Sequence, residues 1–444
     1  MSVLEHPTAQ ELLEDAKVSA GTVRHCREHL NDFLERYLPL FYREEQREHA
    51  RLAIEGRLSG LERKTTEPIA NQAGIPRRNL QRFVGAGEWD DEAVMAEARR
   101  HVSAELGDAN GVLVLDPSSF PKKGTASCGV KRQWCGRLGK TENCQVGVFL
   151  WYAAAQGHAP LDRRLYLPED WATDPERRQT TYVPTPVAFQ HKWQIGLDLL
   201  GASQQVPHAW IVADDEFGRV AEFRQTLRER GQAYVLDVPC NTLVRDLAEP
   251  VPRRSKGSKG RAKGRCKPPF RRADAWASRQ PANRWQELEV RAGSKGPLQV
   301  KAIRRQVQTR SQGRLGPVES LVVIRTLETQ PRTWYTLTAA GPEVPLPEIV
   351  RAHGERHRVE EGLQEAKGEV GLGHYEVRSW TGWHHHITLC LLALLFVVLE
   401  KLQLGKKNTG NHSGPGAGDL HATAASSPTD VSPNCRGGHQ GVAA

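Results

Sequence analysis

Two aspartates stand where a strand would end. Asp116 directly follows the apolar run 112–115, and Asp214 follows Trp210, Ile211, Val212 and Ala213 in the same way. Two such strand ends could hold two carboxylates side by side, although an acidic residue at a strand end is commonly only a cap or turn former. A third acidic residue gives the pair a chemical meaning. Arg356, Glu360 and Lys367 are spaced by 4 and 7, which places them on one face of a helix with about 3.6 residues per turn. That face offers one carboxylate flanked by cations, though by itself it reads as an ordinary solvated salt-bridge stripe. Three carboxylates supply only oxygen donors, and hard divalent cations such as Mg²⁺ take oxygen ligands while keeping several waters.

The elements that must carry these residues follow from the texture of the chain. Residues 1–105 are polar and helical in periodicity, as in Leu30, Phe33, Leu34, Tyr37 and Leu38, and predict a separate all-α N-terminal domain. Within it, residues 66–84 give a short helix, a turn at Gly74, and a second helix bearing Arg77, Arg78 and Arg82. This is helix-turn-helix spacing, which also occurs in proteins that never touch DNA. From Gly111 the pattern changes to apolar strands at 112–115 and 145–154, a short strand at 165–167, a helix at 187–201, the strand before Asp214, a helix at 219–230 and a strand at 234–238. The fold class is therefore α/β, with residues 106–240 as the first part of the sheet domain. Residues 241–346 predict a β-rich insertion with strands near 285–290, 298–307, 321–327 and 334–338. Residues 347–404 return to helix and complete the sheet domain. Residues 405–444 are rich in Gly, Ser, Ala, Pro and Thr and predict a disordered tail.

Composition sets the outer limits. The 444 residues are 39% hydrophobic, enough for two or three domains with a buried core. The longest apolar stretch, residues 387–399, is 13 residues and includes Thr388, whereas a bilayer needs about 20. A buried helix and no membrane partner is the expectation. The start of the chain is charged from Glu5 onward without the apolar core of an export signal, so a cytoplasmic location is expected. Eight cysteines without a CxxC pair exclude a disulfide scaffold, and Cys128, Cys135 and Cys144 match no common zinc spacing. The net charge of +9 favours a polyanionic partner. Its distribution says more: 10 of the 20 residues in 253–272 are Lys or Arg and none is acidic. Such a loop is either a solvated spacer or an electrostatic strap along a phosphate backbone.

Several blocks together resemble one family. Residues 115–124 (LDPSSFPKKG), 130–134 (VKRQW), 139–145 (GKTENCQ) and 212–218 (VADDEFG), with Arg356-x3-Glu360-x6-Lys367 and residues 375–380 (YEVRSW), resemble insertion-sequence transposases of the DDE kind. The branch is the one with a Y-x2-R-x3-E-x6-K signature and an RNase-H-like catalytic domain. The signature's tyrosine position is His353 here.

The resemblance implies an RNase-H-like mixed sheet with flanking helices, interrupted by the insertion. It implies Asp116, Asp214 and Glu360 as the catalytic carboxylates and metal ligands. Two Mg²⁺ ions, replaceable by Mn²⁺, would sit ~3.5–4 Å apart, with Asp116 bridging them. Arg356 and Lys367 would contact phosphate near the scissile bond. Lys122 and Lys123 beside the first aspartate, and Arg77, Arg78 and Arg82 in the helix-turn-helix, complete the expected DNA-binding set. The implied partners are the terminal inverted repeats and target DNA, bound by a homodimer at the nucleoid. Trp285 and Trp334 could stack an unpaired base, or could simply be core. His384, His385 and His386 read as packing rather than as a metal cluster. The tail's composition suggests a shifted frame or a degenerate copy. Two other readings remain: a non-catalytic DNA-binding descendant of a transposase, and a metal-dependent nuclease that cleaves without joining.

Overall fold

The computed structural model describes residues 19–250, 268–291, 298–311 and 313–410. Most of the basic loop and the tail beyond residue 410 lie outside the described residues. The chain divides into two compact units. The first takes residues up to Gln133, Asn143–His208 and His357–Lys407; the second includes Trp134–Glu142 and Ala209–Arg356.

The first unit opens with helices. α1 (Ala20–Tyr37) is capped by Ser19, whose Oγ accepts from Thr22 N at 3.0 Å, and it buries Phe33, Leu34 and Tyr37. α2 (Glu44–Leu58) follows, then α3 (Thr66–Gln72) and α4 (Arg77–Ala86). The turn between α3 and α4 passes through Gly74 at φ 68°, a left-handed conformation that glycine adopts without strain. α5 (Asp91–Leu106) is capped by Asp90, which accepts from Ala93 N.

β1 (Val112–Pro121) runs antiparallel to β3 (Lys140–Ala154) from Val112↔Ala153 to Pro121↔Cys144. β2 (Lys131–Cys135) precedes β3, and β4 (Gly157–Leu165) pairs along its other edge. α6 (Glu169–Ala172), α7 (Pro175–Thr180) and α8 (Lys192–Ala202) follow. Of the strand expected at 165–167 only Leu165 is in a strand, as the last residue of β4. β4 hid because Pro160, Asp162 and Arg163 interrupt its apolar pattern. Arg163 is fully buried, and so is Asp162 beside it. Arg163 bonds Asp91, Glu92 (3.0 Å), Asp162 (3.3 Å) and Thr388 (3.0 Å), while Arg99 meets Asp162 at 2.6 Å. Buried charges persist only when paired in this way.

The second unit holds β5 (Trp210–Ala213), the short α9 (Asp215–Gly218), the crossover helix α10 (Ala221–Glu229) and β6 (Tyr234–Asp237). β5 and β6 are parallel, with Ala213 opposite Leu236. β7 (Leu243–Asp246), β8 (Arg271–Arg272), α11 (Ala273–Ala277), β9 (Gln286–Arg291), β10 (Leu298–Ser311), β11 (Arg314–Thr326) and β12 (Thr333–Thr338) complete the unit. β12 joins β6 to β11, and β10 carries β7 and β9 on successive stretches of its far edge. The sheet is mixed, because beside the parallel β5/β6 pair β12 pairs β6, and β11 pairs both β10 and β12, antiparallel. β11 begins earlier than its apolar residues predict, because pairing with β10 extends the ladder to the hairpin turn. A local core of Val244, Trp276, Ile303, Val307, Leu321 and Val323 seals one face, and Trp285 and Tyr335 pack on it.

The chain then forms α12 (Leu346–Gly354), breaks at Glu355, and continues as α13 (Arg356–Gly368). Gly354 sits where a Cβ would meet Val290 Cγ1 at 2.7 Å. The last helix, α14 (Trp380–Gly410), runs past the boundary at which the disordered tail was expected. Its segment Trp380–Leu404 is long and apolar enough to cross a membrane. Residues 383–395 are nevertheless all buried within the first unit, and Thr388 and Cys390 both meet buried arginines there. A core helix accounts for that pattern.

Candidate active site

Asp116 lies mid-strand in β1, half-buried and opposite Phe149, with Val114 opposite Trp151. Opposed residues of an antiparallel pair share a face, and so do residues two apart in a strand. Val114, Asp116, Phe120, Phe149 and Trp151 therefore project from one side of the β1/β3 ladder. The helix carrying Glu360 covers that same side. A Cβ at Gly362 would meet Trp151 Cζ3 at 2.6 Å, and Lys367 Nζ lies 5.8 Å from the Phe120 ring centroid. α13 turns Val359, Leu363 and Ala366 inward, while Glu360 stays exposed, its Oε2 3.9 Å from His357 Nδ1. Its neighbour Glu361 takes the shorter contact with His357, 3.1 Å.

Asp214, in the second unit, caps α9 and accepts from Glu216 N at 3.0 Å. Burial pushes its carboxyl up to about 6; Arg356 pulls against that rise, and Glu216 and Asp215 add to it. Asp237 ends β6 beside it and has the opposite electrostatics. Burial alone would raise its carboxyl, but His353 and Arg356 outweigh burial and hold it below the usual range. Asp237 Oδ1 meets His353 Nε2 at 3.0 Å, and Oδ2 accepts from Arg356 Nη1 at 2.5 Å. Asp237 was not among the sequence candidates. The signal was there: an apolar run ending in aspartate, the pattern that marks Asp116 and Asp214.

The expected DNA-contacting side chains divide into two groups. Arg77, Arg78, Arg82 and Lys123 are exposed, with Arg77 also bonded to Glu67 at 2.7 Å. Lys122 turns inward, its Nζ 3.4 Å from the Tyr375 ring centroid, and burial lowers it to about 8 against the opposing effect of Glu376. Arg356 donates one arm of its guanidinium to Asp237. Trp285 packs on the insertion core under the Arg325 guanidinium at 4.4 Å, and Trp334 stands edge-on to His353 at 5.7 Å.

The buried histidines are packing residues. His384 bonds Trp380 O, His385 bonds Val84 O and Trp89 O, and His386 bonds Arg57. Burial holds all three below the usual histidine range. Among the described residues no three His, Cys, Asp or Glu side chains are grouped closely enough to hold a metal ion. The chemistry of Asp116, Asp214 and Glu360, oxygen donors throughout, fits a hard divalent cation rather than zinc.

Residues 36–297, more than half of the chain and including both Asp116 and Asp214, match the family model described as DDE superfamily endonuclease. This chain belongs to the DDE superfamily endonucleases. The DDE endonuclease match ends before Glu360. The "Probable transposase for insertion sequence element IS701" of Microchaete diplosiphon is 24% identical over 329 residues, 73% of this chain and 75% of its own length. Members of the DDE superfamily are nucleases that typically use divalent metals.

Proposed function

We propose that this DDE endonuclease is an insertion-sequence transposase that binds terminal inverted repeats, cleaves phosphodiester bonds there and transfers the 3′ ends to target DNA. The observation that carries the reading is the place of Asp116, mid-strand on the sheet face that the Glu360 helix covers. Similarity to the IS701 transposase supports the substrate.

In this reading Asp116, Asp214 and Glu360 are the catalytic carboxylates and would hold two Mg²⁺ ions. When bound, such ions activate the attacking oxygen and stabilise charge on the leaving one. The chain's own residues do the rest. Lys367 and Arg356 offer positive charge to the phosphate backbone, and Trp151 and Phe120 lie against Gly362 and Lys367 of the helix that carries Glu360. The exposed arginines of α4 and Lys123 grip duplex DNA, and the basic loop straps along it. The fold is RNase-H-like, with residues 241–346 as the insertion and 1–105 as the DNA-binding domain. The enzyme works as a homodimer on paired ends, in the cytoplasm at the nucleoid.

The test is cleavage of a duplex carrying the inverted repeat that flanks this gene, with Mg²⁺ and with EDTA, followed by a strand-transfer assay. Metal-dependent nicking at the repeat end together with joining is the expected result. Nicking without joining would reduce the reading to a nuclease. Tight binding with no nicking would make the chain a DNA-binding descendant of a transposase.

A further inference from the structure

We propose that Asp237 is a positioning residue for the cleavage chemistry, fixing Arg356 and the start of the Glu360 helix beside the strand end that carries Asp214. The proposal rests on the transposase reading above and adds a residue to it.

Three contacts converge on Asp237. Its main chain butts against the Asp214 turn: a Cβ at Gly218, the last residue of α9, would meet Asp237 O at 1.8 Å. The parallel register places the ends of β5 and β6 side by side, Ala213 opposite Leu236, so Asp214 and Asp237 are the next residues of adjacent strands. Sites form outside the carboxyl ends of parallel strands because helix ends and turns converge there. The side chain of Asp237 engages two residues of the following segment, His353 from the last turn of α12 and Arg356 from the first residue of α13. The one-residue break at Glu355 lies between them, so the carboxylate holds a side chain on each side of that break. Trp334 supports His353 from the side.

A metal-ligand role for Asp237 is a poor fit. Each carboxylate oxygen already faces a nitrogen, and a carboxylate neutralised by a guanidinium is a weak donor to a cation. A passive core role is also a poor fit, because Asp237 holds side chains on both sides of the break at Glu355 while its main chain abuts the Asp214 turn. A guanidinium has several N–H donors in a rigid fork, so holding one arm on Asp237 sets the direction of the rest. Displacements of about 1 Å in such a positioned group can cost on the order of 100-fold in rate.

The experiment uses the full chain, a duplex bearing the inverted repeat, and Mg²⁺. Single-turnover nicking is measured for wild type, Asp237→Asn, Asp237→Glu, Arg356→Gln and the double variant Asp237→Asn with Arg356→Gln, and DNA affinity is measured in EDTA by gel shift. Asp237→Glu keeps the charge pair, so it provides a folded variant even if Asp237→Asn does not fold. Asp237→Glu is expected to nick about 10- to 100-fold more slowly, with DNA affinity within about twofold of wild type. Where Asp237→Asn folds, the double variant should be no slower than Arg356→Gln alone, because two residues acting through one contact are not additive. Wild-type nicking by Asp237→Glu, or losses that multiply in the double variant, would overturn the proposal. Absence of nicking by wild type would instead remove the transposase reading itself.

Discussion

Gly362 and Trp151 are in such close contact that a Cβ on the glycine would lie 2.6 Å from Cζ3 and 2.9 Å from Cη2 of the indole. The helix bearing Glu360 can therefore approach the face of β3 that Asp116 shares only because position 362 has no side chain. Gly362→Ala should force α13 outward and destabilise the protein by about 1–3 kcal/mol, despite alanine's better helix propensity. Thermal unfolding checks this, and nicking should fall more than stability alone explains. A variant as stable and as active as wild type would mean the contact does not set the helix.

Asp116→Ala should abolish metal-dependent nicking, by at least about 1,000-fold, while gel-shift affinity for the inverted repeat in EDTA stays within a few-fold of wild type. Residual nicking at a tenth of the normal rate would move the first carboxylate elsewhere.

The raised carboxyl of Asp214 gives a pH signature. Its folded value of about 6 lies above the usual aspartate value, so ionisation costs the metal-free protein stability as pH rises from ~4 through about 6. Asp214→Asn should accordingly stabilise the metal-free chain at pH 7, by on the order of 1–2 kcal/mol after allowance for solvent at this half-buried site. The difference should vanish below pH ~4. Metal binding needs the ionised form, so apparent Mg²⁺ affinity should weaken about tenfold per pH unit below about 6. Melting curves and metal titrations across pH 4–8 read both effects.

Asp237 should behave in the opposite sense. Its folded carboxyl is held low by His353 and Arg356, so its contribution is present above the unfolded value, roughly 3.9, and is lost as pH falls through the lower folded one. Asp237→Asn should cost about 3 kcal/mol at neutral pH, where a buried pair loses one partner, and progressively less in acid. A destabilisation that does not change down to pH 2 would contradict the ion-pair account.

Arg78 and Arg82 are exposed on α4. Changing either to Gln should lower the slope of log K against log salt by about 1 for the inverted-repeat duplex, if each contacts a phosphate. Nicking at saturating DNA should not change. An unaltered salt slope would remove α4 from the DNA interface.

Some of this protein was determined by sequence alone. Apolar runs ending in aspartate placed Asp214 at the end of β5, and helical spacing put Arg356, Glu360 and Lys367 on one helix, α13; Asp116 was expected at a strand end and instead lies mid-strand, because pairing with β3 carries β1 on to Pro121. These signals are local: a strand or helix buries one face, and its period appears in neighbouring residues. The strands at 298–307 and 334–338 were legible for the same reason. β4 was not, because its charges are buried against residues 91, 92 and 99 and the far helix at 388. Nor was the engagement of Asp237 by side chains 116 and 119 positions later, or the fit of Gly362 against Trp151. Such contacts leave no periodic trace in the chain. They are decided when the tertiary structure brings distant segments into a space where each charge must find a partner and each ring a gap its own size.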